Sequence, residues 1–348
     1  MLERRIPVRF VHLVGSIGLE STQTVFATVG KLIGGNVKRC PDGEPGGRRM
    51  WISWQYPFLR SSPYLIVDES QLLPGGVGFC ALRIADGVKP AEITFGELGY
   101  AREARTSYQD FLAARQRGLL PPTVRFQVSL PTPLAVIAPF LVRQDFVTVE
   151  PAYEKAMLRE VQRICEAIPN EDLAIQWDAC LEMLAYDGQA PSILALPDLE
   201  RGFAERFNRL TEGIPHDVQL GFHLCYGDLD AKHAIEPKDL AKAAGFANLL
   251  LANVPRPINW IHMPVPISRN DEAYFAPLRD LKRGPETDLY LGLVHLKDGA
   301  EGAMSRMAAA KAAVSDFGIA TECGMARKKT PQMVEQLLEI HRAAANAE

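Results

Sequence analysis

The chain has 348 residues, 47% of them hydrophobic, with 38 basic against 42 acidic side chains and a formal net charge of -4. A chain of this length and apolarity can bury a large core, and it carries no basic stripe of the kind that neutralises a phosphate backbone, so nucleic acid is not expected as a partner. The start, MLERRIPVRFVHLVGS, lacks an apolar run of signal length, and the apolar stretch from Val124 to Val142 is broken by Arg125, Ser129, Pro131, Pro133 and Pro139. A cytoplasmic protein with no membrane partner is the expectation. The six cysteines are spread along the chain rather than clustered, which favours free thiols or metal ligands over disulfides.

The first 120 residues are irregular, with Gly- and Pro-rich stretches at Gly34 to Gly47, Leu73 to Gly78 and Gly118 to Pro122. From about residue 145, short apolar strands alternate with amphipathic helices. Between Glu150 and Ile168 the residues Ala152, Met157, Leu158, Val161, Ile164, Cys165 and Ile168 recur at helical spacing. A strand Leu173 to Trp177 follows and ends at Asp178. A helix around Leu199 to Thr211 leads to the strand Val218 to Leu224, whose end carries His223, Cys225, Tyr226 and Asp228. Next come a helix near Pro237 to Leu251, a strand Ile258 to Met263, a helix near Asp271 to Lys282 and a strand Leu289 to His295. A helix from about Gly299 to Ser315, a short strand Gly318 to Glu322 and a helix from about Pro331 complete the series. This alternation predicts a parallel α/β sheet, closing most economically as a single (β/α)8 TIM barrel over residues 1–348 with an irregular, loop-rich amino-terminal part. A doubly wound sheet is the alternative, but no Gly-x-Gly-x-x-Gly follows a strand.

Residues two apart on a strand share a face, so His223 and Cys225 present two metal-ligand types to one side. Cys323, in Thr321-Glu322-Cys323-Gly324-Met325 after the last strand, would return to the same mouth in a barrel. Buried core cysteines are the competing reading.

Several segments match, in order, the catalytic barrel of cobalamin-independent methionine synthase. His223-x-Cys225-Tyr226 is similar to the family's metal motif, and Glu322-Cys323-Gly324-Met325 to its distal Asp-Cys-Gly-Leu. Ile175-Gln176-Trp177-Asp178 resembles its Ile-Gln-x-Asp-Glu-Pro strand, Gly43-Glu44-Pro45 with Arg48 its Gly-Glu-Pro-x-Arg loop, and Gly15-Ser16 its early Gly-Ser. The resemblance implies a zinc ion on His223, Cys225 and Cys323 that activates a substrate thiol for alkyl transfer. It also implies that Ser16, Glu44 and Asp178 bind substrate, the two carboxylates holding an amino group, and that Asp178 and His295 take part in catalysis, His295 relaying a proton.

The chain departs from the family in three places. The carboxylate ligand expected on the next strand is absent from Asn259-Trp260-Ile261-His262-Met263-Pro264, where His262 is the candidate nitrogen ligand. The family's Asp-Glu-Pro is Asp178-Ala179-Cys180, and the pterin-binding segment reads Ser129-Leu130-Pro131-Thr132-Pro133-Leu134-Ala135-Val136, without Trp. Methyl-folate is therefore not the expected donor; a methylated corrinoid carrier or a small methoxylated or alkylated compound is. Trp51, Trp54, Tyr56 and Phe58 could form an aromatic pocket, or pack in the core. Two other readings stand: a metal-independent lyase like the uroporphyrinogen decarboxylases, with Arg48, Arg49 and Arg60 binding acidic groups, and a corrinoid- or partner-binding protein without activity.

Overall fold

The structure, a computed structural model, describes residues 10–73, 78–188, 198–227 and 233–347; Asp228 and residues 74–77 lie outside the described residues. Nine strands are described. Seven of them, β1 (Arg39–Pro41), β4 (Arg125–Pro131), β5 (Leu173–Ala179), β6 (Gln219–Leu224), β7 (Trp260–Pro264), β8 (Asp288–Val294) and β9 (Gly318–Thr321), form one parallel sheet in that order. Strands β2 (Leu65–Leu72) and β3 (Cys80–Ile84) pair as a separate antiparallel hairpin.

Val11 makes parallel bridges to Val37 and to Ile319, so the segment before the first helix touches both outer ends of the sheet. The contacts are backbone hydrogen bonds: Val11 N to Asn36 O at 2.8 Å, His12 N to Ile319 O at 2.9 Å and Ile319 N to Phe10 O at 3.0 Å. Strands β5, β7 and β9 are buried at every residue, as expected for a parallel sheet covered on both faces. One continuous set of buried apolar residues runs from Val11 to Ala345.

Helices cover the sheet: α1 (Thr22–Ile33), α2 (Gln55–Arg60), α3 (Tyr100–Gln116), α4 (Pro133–Phe140), α5 (Arg143–Ala167), α6 (Leu181–Tyr186), α7 (Leu199–Glu212), α8 (Ala241–Asn253), α9 (Glu272–Phe275), α10 (Gly299–Lys311) and α11 (Pro331–Ala345). None of the described helices is long and apolar enough to cross a membrane. The strand-to-helix turn at Thr132 follows from chemistry: its hydroxyl accepts from Ala135 N at 3.1 Å, and Pro133 opens α4 at a position that needs no N–H. The helix expected from Asp271 to Lys282 is α-helical only over Glu272–Phe275 and continues as a 3-10 turn, Ala276–Asp280. Pro277 is the reason, since its ring clashes with the carbonyl four residues before it. The amino-terminal third is more ordered than its composition suggests, with α1, α3 and the β2–β3 hairpin inside it.

Candidate metal centre

The carboxyl ends of the parallel strands carry the polar side chains, which is where open and closed α/β sheets place their sites. Across β5, β6 and β7 the ladder pairs Asp178 with His223 and His223 with His262, so these three form one row. Below this row Gly221 lies opposite Trp260, and a Cβ at 221 would fall inside the indole. Glycine there lets Trp260 fill the interior and donate Nε1–H to Gln176 Oε1 at 3.2 Å. Gln176 is the hub of this buried layer: its Oε1 also meets His12 Nε2 at 2.9 Å, and its amide donates to Val14 O at 2.6 Å and Asp178 Oδ1 at 2.9 Å.

Cys225 leaves the end of β6 and Cys323 follows β9, and with His223 they place one nitrogen and two sulfur donors within 4.8 Å of one another. His223 Nε2 is 3.7 Å from Cys323 Sγ, and the two sulfurs are 3.9 Å apart. His223 and Cys225 are buried, and Cys323 is half-buried. Burial, then the neighbouring His262 and His233, hold the His223 imidazole well below its ordinary pKa, which leaves it neutral and able to donate a lone pair. Cys180, in hydrogen-bonding contact, is the largest cause pushing the Cys225 thiol up, while Gly227 N donates to its sulfur at 3.3 Å. Two soft sulfurs and a neutral imidazole around one point are a donor set that suits zinc.

His262 is not part of this group of three. Its Nδ1 meets His223 Nδ1 at 2.7 Å, on the ring edge that does not face Cys323. Glu322 turns toward two other histidines, with Oε2 3.3 Å from His233 Nε2 and Oε1 3.9 Å from His295 Nδ1. His295 donates Nε2–H to Val265 O at 2.9 Å, which leaves Nδ1 as the lone-pair side toward Glu322. Burial, followed by the Arg306 charge, lowers the His295 pKa to about 4. Arg306, itself buried, fixes the loop that carries His295 by donating to Leu293 O at 2.9 Å and to Asp298 at 2.6 Å.

The loop residues Ser16 and Glu44 come to the same end. Ser16 pairs with Gly43, its carbonyl accepts from Met325 N at 2.7 Å, and its hydroxyl occupies the space that a Cβ on Gly324 would need. Glu44 adopts a left-handed backbone, φ 53°, stabilised by its N–H donating to Asp42 Oδ1 at 2.9 Å; Asp42 is held in turn by Arg48 at 2.7 Å and Ser107 at 2.7 Å. Burial and then the Asp178 charge raise the Glu44 pKa to about 8. Burial raises that of Asp178 to about 7, against hydrogen bonds from Gln176 and Trp51. With Asp178 ionised, the charge that disfavours a second negative charge on Glu44 favours a cation beside the pair.

Of the aromatic cluster, Trp51 alone reaches this region. Trp54 packs edge-on to Tyr100, Tyr56 stacks on Phe79 at 4.2 Å, and Phe58 lies against Phe95. Of the three arginines proposed for acidic substrates, Arg48 is engaged with Asp42 and Arg49 with Leu19 O at 2.8 Å. Sequence reasoning missed His12, His233 and the contact of Cys180 with Cys225. The last follows from strand register, since β5 and β6 end side by side, which the sequence alone does not show.

No protein-family profile matches the sequence, and no curated protein matches it. Solved structures do. A provisionally assigned vitamin-B12 independent methionine synthase from Listeria monocytogenes superposes with a TM-score of 0.61 at 16% identity, covering 98% of both chains. A B12-independent methionine synthase from Shewanella sp. W3-18-1, solved with selenomethionine, gives a TM-score of 0.55 at 16% identity, over 97% of this chain and 96% of that one. A methyltransferase from Methanosarcina mazei gives 0.53 at 10% identity, over 97% and 94%. At these identities the likeness is one of fold.

Proposed function

We propose that the chain is a zinc-dependent transferase of methionine-synthase type that moves a methyl or other alkyl group to the sulfur of a small thiol. The observation that carries this reading is the convergence of His223 Nε2, Cys225 and Cys323 at 3.7 and 3.9 Å on the carboxyl side of the sheet. The fold shared with two methionine synthases and a methyltransferase supports it. We read the Val11 segment as the eighth, closing strand of a (β/α)8 barrel, since it bridges both ends of the seven-stranded sheet.

Zinc on these donors would lower the pKa of a bound thiol and supply a thiolate nucleophile near neutral pH. The chain's own residues do the rest. Glu44 and Asp178 take the ammonium end of an amino-acid-like thiol, whose charge favours ionisation of both carboxylates. Ser16 holds the loop against Gly324, next to Cys323. His295, neutral at pH 7 with its Nε2 proton fixed on Val265, accepts a proton at Nδ1 as the thiol approaches. Methyl-folate is not the donor in this reading: residues 130–137 are all buried and offer no aromatic platform for a pterin. A methylated corrinoid on a carrier protein or a small methoxylated compound takes its place.

Metal analysis of protein purified without added metal tests the proposal. About one zinc per chain is expected, falling sharply in Cys225→Ser and Cys323→Ser with the fold retained. Zinc-free wild type, or full retention in both variants, overturns it.

A further inference from the structure

We propose that Cys180 is a fourth protein ligand of the metal ion, contributed from the end of β5 beside His223, Cys225 and Cys323; this rests on reading the site as a metal centre. The β5–β6 ladder ends with Ala179 opposite Leu224, and Cys225 N donates to Ala179 O at 3.2 Å. The next residues on each strand, Cys180 and Cys225, are therefore neighbours, and their thiols are in hydrogen-bonding contact. Both are buried, at 5% and 6% exposure.

Nothing in the local backbone accounts for a thiol here. Cys180 occupies the position before α6, where a side chain normally caps the helix, yet it makes no capping hydrogen bond. Its sulfur is not among the compact group formed by His223, Cys225 and Cys323, so ligation requires its side chain to turn toward them, and rotation about the Cα–Cβ bond is the freedom available for that. Zinc prefers four ligands in a tetrahedron, and the three residues fill three positions. With His262 bonded to His223 instead of facing the thiols, Cys180 is the buried donor adjacent to the fourth. It closes the resting site and gives way when a substrate thiol arrives.

X-ray absorption at the zinc edge of zinc-loaded protein, without substrate, reads the ligand set directly. Wild type is expected to show three sulfur neighbours and one nitrogen, and Cys180→Ala two sulfurs. Chelator competition should show zinc held about 10–100-fold less tightly in the variant. Cys180→Ser, which keeps the side-chain size, carries the same measurement should the alanine variant fold poorly. Two sulfurs in wild type, or an unchanged sulfur count and affinity in both variants, overturns the role of Cys180 while leaving the three-residue centre intact. Wild type that binds no zinc overturns both.

Discussion

His262 Nδ1 lies 2.7 Å from His223 Nδ1, and this contact leaves His223 Nε2 aimed at Cys323 Sγ. At this distance one ring donates to the other, and burial holds both imidazoles well below their ordinary pKa. A histidine held this way presents a fixed ring edge to a metal, the usual work of a residue behind the ligand. His262→Leu should therefore weaken zinc binding about 10–100-fold in chelator competition. His262→Gln, whose amide can engage His223, should restore most of it. Equal affinities in the two variants would show that His223 needs no such partner.

The Glu44 carboxyl sets a pH dependence. Its pKa in the folded chain, about 8, lies above the ordinary carboxylate range, so the protonated form favours folding. That stability is fully present below the ordinary range and is lost as pH rises through 8. Glu44→Gln should match wild type at low pH and exceed it by on the order of 2 kcal/mol at pH 9, after allowing for screening at a half-buried site. Denaturation at several pH values tests this; a difference independent of pH would contradict it.

His341 gives the opposite slope. It is fully buried in α11, donates Nδ1–H to Leu337 O at 2.7 Å, and burial lowers its pKa to about 4. Its contribution is present above the ordinary histidine pKa and is lost as pH falls through 4. Over that window wild type should lose about 3 kcal/mol from this group alone. The variant His341→Phe should show a shallower acid limb in urea titrations. Identical limbs would mean that His341 stays neutral without cost.

Gly221→Ala places a methyl group inside the Trp260 indole. Overpacking of this kind costs about 1–3 kcal/mol or more, and it should also disturb the bond from Trp260 to Gln176. A lower unfolding midpoint and altered tryptophan fluorescence are expected. Gly47→Ala, where an added Cβ meets nothing within 4 Å, is the control. Similar midpoints for both variants would remove the steric account of Gly221.

The sequence by itself determined the carboxyl-terminal half: mostly apolar runs such as Leu173 to Trp177 and Leu289 to Val294 are too short for helices, and they alternate with stretches of helical period. It also nominated His223 and Cys225, because a period of two puts them on one face. It could not show α3, whose buried side includes Ala101, Ala104, Ser107 and Ala114, since small residues leave a faint apolar signal. Nor could it decide what His262 does. The residue type suits a ligand, but strand register puts it beside His223, and the orientation of the His223 ring then sets Nδ1 toward His262 and Nε2 toward Cys323. The neighbours of Glu322 and the contact of Cys180 with Cys225 were likewise decided by tertiary structure. Their partners lie tens of residues away in the chain, and local periodicity carries no information about which strand ends meet.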